Sequence, residues 1–365
     1  FCMFEKYWIG FSSIESIDSA FVLRLYNYTG DIEKAFNISR DEITNIDGLS
    51  VKKAENFLRA RDKVDLEKSF DLVKNRGIKF LTFEDEKYPK LLKNIIDPPA
   101  VLYYKGDLSL CNFDRTLAVV GSRKATYNGK EALKYVISQL QNTDICIVSG
   151  LASGIDSCAH TSAIENNLKT IGVIASGFDF VYPSGNKGLY EKIENGFGAI
   201  FTEYYPTFEP LKFRFPQRNR IVTGLSYGTL VVEASLKSGA LISANLTLEQ
   251  GRELMCIPGL ITNPNTQGIY KLIKNGATIV TTSDDILEAL NWEIQRGQAV
   301  QLKLDDLDDN ELKIFETISL EDKNVDEISN NTGLDVSDIL SYLTIMELKG
   351  IIEKVEGDRY KKVNI

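Results

Sequence analysis

Short apolar runs alternate with amphipathic stretches through the middle of the chain. The runs are Leu117–Val120, Ile145–Val148, Thr170–Ile174, Ala199–Thr202, Thr229–Val232, Leu254–Ile257 and Thr278–Val280. Each is short enough for a strand and bounded by turn residues. Strands that alternate with helical stretches imply βαβ units, so the pattern predicts an α/β fold: a doubly wound, mostly parallel sheet with helices on both faces. Upstream, Ile32, Ala35, Phe36 and Ile38, then Ala54, Phe57 and Leu58, recur at helical spacing on either side of Asp47-Gly48. They predict a small domain of short helices over residues 1–80. Within it, Ile46-Asp47-Gly48-Leu49-Ser50 has the form of a helix-hairpin-helix turn, although one glycine between helices is usually only a turn.

The prolines of Tyr88-Pro89 and Asp97-Pro98-Pro99 bar a helix from the connector, and Val101-Leu102-Tyr103-Tyr104 reads as an edge strand. The central domain is expected over residues 81–290. A polar linker near Gln295–Leu304 follows. Then come a helical run from Asp309, helices over Val325–Asn331 and Ser337–Lys349 parted by Gly333, and strand-like Ile351–Val355 and Arg359–Val363 around Glu356-Gly357-Asp358. Helix, turn, helix and hairpin make a winged helix, expected over residues 305–365.

With 365 residues, 43% of them hydrophobic, the chain can fill two or three packed cores. No apolar run approaches the ~18 residues of a membrane span, and Phe1–Phe11 lacks the regions of an export signal, so a cytoplasmic protein without membrane insertion is expected. Cys2, Cys111, Cys146, Cys158 and Cys256 are odd in number, scattered and never in a CxxC spacing, which argues against disulfides and zinc. His160 is the sole histidine, so no multi-histidine metal site exists. The net charge of −9 is unevenly placed. Basic and acidic side chains number 16 and 17 over residues 1–100, 18 and 18 over 101–300, and 8 and 16 over 301–365. The middle is neutral and free to carry a local basic face, because phosphate binding responds to charge within about one Debye length, ~8–10 Å. The acidic winged helix is poorly suited to duplex DNA, whose binding needs cations against phosphates, and a protein contact is expected of it instead.

In a doubly wound sheet, ligands bind beyond the carboxyl ends of the strands. Gly121-Ser122-Arg123 follows the first central strand and Ser149-Gly150-Leu151-Ala152-Ser153-Gly154-Ile155-Asp156 the second. Both are strand-to-helix turns whose glycines let a backbone approach closely, while Arg123 can fork onto a phosphate. Neither is a Walker A or a GxGxxG loop, which demotes ATP-driven and dinucleotide chemistry. The densest signal is Lys212-Phe213-Arg214-Phe215-Pro216-Gln217-Arg218-Asn219-Arg220. Four cations and two rings in nine residues, opening the helix before Thr229–Val232, suit a sugar-phosphate backbone and a stacked base. Glu233 could polarise a ribose hydroxyl or cap a helix. Cys158 and His160 lie two apart on a presumed helix and diverge, so a core or capping histidine is expected.

Together these residues resemble the DNA-processing protein A (DprA/Smf) family. The resemblance is carried in the family's order by Gly121-Ser122-Arg123, Ser149-Gly150-Leu151-Ala152, Gly154-Ile155-Asp156, Ala159-His160, Tyr182-Pro183 with Asn186, Phe215-Pro216, Arg218-Asn219-Arg220-Ile221, Val231-Val232-Glu233-Ala234, Ser238-Gly239 and Pro258-Gly259. It implies an extended Rossmann-like domain, flanked by a helical N-terminal domain and a winged helix. It further implies a non-catalytic, cofactor-free homodimer that binds and protects single-stranded DNA and helps load the RecA recombinase in natural transformation. Carried over by motif, Arg123, Arg218 and Arg220 would contact phosphates, and Lys212, Phe215 and Asn219 would join them with a cation, a stacking ring and an amide. Gly121, Ser122, Gly150 and Gly154 would shape the pocket. Two departures stand out: Ser153 where a basic residue is frequent, and Ala175-Ser176-Gly177-Phe178-Asp179 in place of a turn richer in glycine and leucine.

The competing expectation is a nucleoside-monophosphate phosphoribohydrolase of the same fold, since Gly228-Thr229 is followed by Glu233. Those enzymes carry a denser Gly-Gly-x-Gly-Thr loop. Here Ser226-Tyr227-Gly228-Thr229 stands instead, which would move the backbone away from a small nucleotide.

Overall fold

The computed structural model describes residues 2–293, 307–318, 322–348, 351–355 and 357–362. Residues 1–292 and 293–365 form two compact units. The first opens with six helices: α1 (Cys2–Ser12), α2 (Ser19–Thr29), α3 (Ile32–Phe36), α4 (Arg40–Thr44), α5 (Val51–Arg61) and α6 (Leu66–Asn75). Each of the last five starts where a short polar side chain can take over an orphan amide. Asp18, Asp31, Ser39, Ser50 and Asp65 accept from the N–H groups of Phe21, Lys34, Glu42, Lys53 and Lys68, each cap contributing about 1 kcal/mol. Inside, Phe11 stacks on Phe57 at 5.2 Å between centroids, and Phe36 meets Phe11 edge-on at 5.0 Å. This aromatic core runs on through Val101, Tyr103 and Tyr205, so the helices are packed onto one end of the sheet.

That sheet has nine strands: β1 (Lys79–Thr82), β2 (Val101–Gly106), β3 (Thr116–Gly121), β4 (Cys146–Ser149), β5 (Lys169–Val173), β6 (Gly198–Thr202), β7 (Gly228–Val232), β8 (Glu253–Ile257) and β9 (Thr278–Ile279). Their order is β1-β2-β6-β5-β4-β3-β7-β8-β9. β2 runs antiparallel to both of its neighbours, β1 and β6, and the remaining neighbours pair in parallel. Every residue of β4, β6 and β7 is buried, as expected for strands covered on both faces. The covering helices are α7 (Lys90–Lys93), α8 (Tyr127–Ser138), α9 (Ile155–Glu165), α10 (Lys187–Lys192), α11 (Arg214–Gly224), α12 (Ala240–Glu249), α13 (Gln267–Lys274) and α14 (Ser283–Ala289).

Two expectations about the connector are corrected. Val101–Gly106 is not an edge strand, because β1 pairs outside it with Phe80 opposite Tyr103. A helical turn, α7, also forms between the prolines: Pro89 occupies its N-cap, a place where a missing N–H removes no intrahelical bond.

The second unit contains α15 (Asp309–Thr317), β10 (Lys323–Asn324), α16 (Val325–Thr332), α17 (Val336–Leu348), β11 (Ile352–Val355) and β12 (Arg359–Lys362). Gly333 ends α16 in the left-handed region at φ 72°. Ile314, Ile328, Ile339, Leu343, Ile352 and Tyr360 form its core. β10, absent from the sequence reading, completes the sheet β10-β12-β11, so the unit is a winged helix. The predicted linker Gln295–Leu304 lies outside the described residues.

Candidate nucleic-acid interface

From β3 the chain winds outward through β4, β5 and β6, then returns to place β7 on the other side of β3. Loops after β3 and β7 therefore leave in opposite directions, which opens a crevice at the carboxyl edge. Arg123, in the β3–α8 loop, is exposed and makes no ion pair among the described residues. Its guanidinium lies 5.0 Å from the centroid of Phe215, and Tyr182 meets the same ring edge-on at 5.3 Å. Tyr182 is half exposed. A cation and two rings are thus grouped at the switch point. Lys124 and Lys212 are exposed as well.

Beside this group, the β4–α9 turn is built around two glycines. Gly154 sits at φ 86°, and a Cβ there would fall 2.3 Å from the carbonyl oxygen of Ser122; that carbonyl accepts the Ile155 N–H at 3.1 Å. At Gly150 a Cβ would lie 2.6 Å from Asp156 Oδ2 and 2.7 Å from a guanidinium nitrogen of Arg218. The missing side chain is the space through which Arg218 passes. Asn186 holds the turn from outside, donating to Leu151 O at 2.8 Å.

The predicted track from Lys212 to Arg220 divides sharply. Arg218 is 3% exposed. Its guanidinium donates to the carbonyls of Gly150, at 2.6 Å, and Val173, which ties β5 to the glycine turn. Burial raises the pKa of the Asp156 carboxyl, against the pull of the Arg218 charge, and burial lowers that of Arg218. Arg220 forks onto Glu203 at 2.6 and 2.7 Å and donates to Asp97 O at 2.9 Å. Arg214 is buried, pairs with Glu15 and lies 4.9 Å from the Tyr204 ring centroid. The expectation that Arg218 and Arg220 present free guanidinium groups to phosphates is corrected: both are engaged inside the fold. Asn219 is half-buried and accepts from Arg218 Nε at 3.3 Å. Phe215 remains at the crevice, under Arg123, and Lys212 is exposed and free of ion pairs among the described residues.

The signal that separates these cations was present in the chain. Arg214, Arg218, Ile221, Val222 and Leu225 fall at i, i+4, i+7, i+8 and i+11, the inward stripe of a helix, and all five are buried. Tyr182, Lys124, Asn186 and Asp156 were not among the sequence-predicted site residues. Asp156 is 8% exposed and accepts from Ala152 N–H at 3.3 Å.

His160 is fully buried. Thr170 Oγ1 donates to Ile147 O at 2.8 Å and so accepts from His160 Nδ1 at 2.7 Å. Burial lowers its pKa to about 3, so the ring is neutral. It belongs to the core, as expected.

Residues 79–291 match the family DNA recombination-mediator protein A, and residues 298–358 match the DprA winged helix domain. The DNA processing protein DprA of Streptococcus pneumoniae is 44% identical over 211 residues, covering 57% of this chain and 74% of that protein. The X-ray structure of the S. pneumoniae protein has a TM-score of 0.68 at 35% identity, covering 78% of this chain and 96% of that one. DNA processing protein A from Helicobacter pylori, solved for its single-stranded DNA binding mode, has a TM-score of 0.53 at 30% identity, covering 59% and 95%. Because that first family match takes in more than half of its residues, the chain belongs to the DNA recombination-mediator protein A family.

Proposed function

We propose that the chain binds single-stranded DNA without catalysis, as a recombination mediator, along the crevice at Arg123. One observation carries the reading: an exposed guanidinium without an ionic partner among the described residues lies over Phe215, beside the glycine-rich β4–α9 turn at the switch point of the sheet. Arg123 grips backbone phosphate, with Lys124 and Lys212 adding charge, while Phe215 and Tyr182 offer ring surface to a base. Gly121, Ser122, Gly150 and Gly154 shape the floor. Arg218, Arg220 and Asn219 act beneath it by holding α11 and the glycine turn in place.

The same reading includes a cytoplasmic homodimer that protects incoming DNA and loads the RecA recombinase. Family membership and the H. pylori relative's DNA binding support it. Titration of labelled oligothymidylate against salt is the test. Wild-type protein binds with a negative slope of log K on log salt, and Arg123→Ala weakens binding and makes the slope shallower by about one phosphate contact, ~0.7 for a single strand. Binding that does not respond to salt or to Arg123→Ala would overturn the assignment.

A further inference from the structure

Glu233 follows β7 and adopts a left-handed backbone, φ 54°, a conformation uncommon for residues other than glycine. Its side chain is buried at the carboxyl edge, 5% exposed. The carboxylate is fully engaged there. Oε2 accepts the Thr126 N–H at 2.8 Å, and Oε1 accepts the Thr126 hydroxyl and the Asn263 amide, the latter at 3.2 Å. Each partner reaches further. Thr126 Oγ1 caps α8 by accepting the Gly129 N–H at 3.1 Å. Asn263 Oδ1 accepts from Asn265 N–H at 2.9 Å, and the Asn265 amide donates to Lys124 O at 3.2 Å. α8 also presses on the carboxylate, since a Cβ at Gly129 would fall 2.5 Å from Glu233 Cδ. Segments after β3, β7 and β8 are thereby joined through one carboxylate, and Lys124 and Thr126 are held directly behind Arg123.

We propose that Glu233 is a positioning residue for single-stranded DNA, clamping the β3–α8 loop so that the Arg123 guanidinium is held ready for a phosphate. The inference rests on the binding role proposed above and adds how the site is kept in order. A preorganised loop loses less freedom on binding, and that saving appears as affinity.

The sign of the effect separates positioning from mere proximity. A carboxylate near a phosphate site repels DNA, so neutralising it would tighten binding if charge alone mattered. A clamp predicts the opposite. Glu233→Gln is expected to weaken oligothymidylate binding about tenfold, ~1.4 kcal/mol, with an unchanged salt slope because no phosphate contact is removed. Asn263→Ala, which loosens the clamp from the other side and leaves the charge, should weaken binding in the same direction. The loss from Glu233→Gln should shrink in an Arg123→Ala background, since the loop then positions nothing.

Thermal unfolding and nucleoside-monophosphate hydrolysis are measured on the same preparations. Equal or tighter binding by Glu233→Gln, or losses that add fully with Arg123→Ala, would overturn the proposal, as would ribose 5-phosphate release that Glu233→Gln abolishes. Failure of the wild-type protein to bind oligothymidylate would instead overturn the binding reading itself.

Discussion

Replacing Arg218 by alanine separates a guanidinium that meets DNA from one that holds the protein together. The change leaves the carbonyls of Gly150 and Val173 without their donor in a buried site, at ~1–3 kcal/mol each. It also strips Asp156 of the positive charge that opposes its desolvation. Removing one member of a buried charged network typically costs ~3–5 kcal/mol. Protonation of Asp156 offsets part of this, so a destabilisation of about 4 kcal/mol is expected. That is a large share of a native stability of ~5–15 kcal/mol. In urea, with m about 2–3 kcal/mol/M, the midpoint should fall by about 1–2 M. Arg218→Lys keeps the charge but cannot fork onto two carbonyls, so it should fall between wild type and alanine. DNA affinity should fall only as far as the glycine turn loosens, while the salt slope stays at its wild-type value. An unchanged urea midpoint together with a slope shallower by about one contact would refute the argument, because Arg218 would then be facing phosphate.

Other consequences follow from burial and from the division of the chain. His160 titrates at about 3 when folded against an ordinary 6.5. The unfolded chain therefore binds the extra proton first, and stability is full above pH 6.5 and declines as pH falls from there toward 3. Between about pH 7.5 and about pH 5.5 this one ring should account for about 1.4 kcal/mol of lost stability, measured as the difference in pH dependence between wild type and His160→Asn in urea melts; parallel curves would rule it out. Deleting residues 301–365 should leave oligothymidylate affinity within about twofold, since every proposed contact lies in the first unit and the removed segment is acidic. A larger loss would assign DNA contacts to the winged helix.

The sequence by itself determined the period of the chain and hence the architecture. Seven central runs became β3 to β9, because a short apolar run between helical stretches has few places to be buried except a covered parallel sheet. The same order put the glycine turns and Arg123 at the carboxyl edge. The strands at the ends were harder to see. β1 is short and half polar, β10 is two polar residues, and each is a strand only because a partner, β2 or β12, is already in place.

What only the tertiary structure decided was which partner each cation meets. Composition counts Arg214, Arg218 and Arg220 as equal to Lys212, but α11 turns Arg214 and Arg218 inward, to Glu15 and to the carbonyls of Gly150 and Val173, while Arg220, off that stripe, is engaged by Glu203 and Asp97. Those acceptors come from segments up to about two hundred residues away in the chain, and no local pattern brings them together. The same holds for Glu233: a carboxylate after a strand is legible in the chain, while its bonds to Thr126 and Asn263 arise only because β7 returns beside β3. Helical and strand periods are local properties of the chain, whereas the partner of a charge is set by which distant segments the sheet makes neighbours.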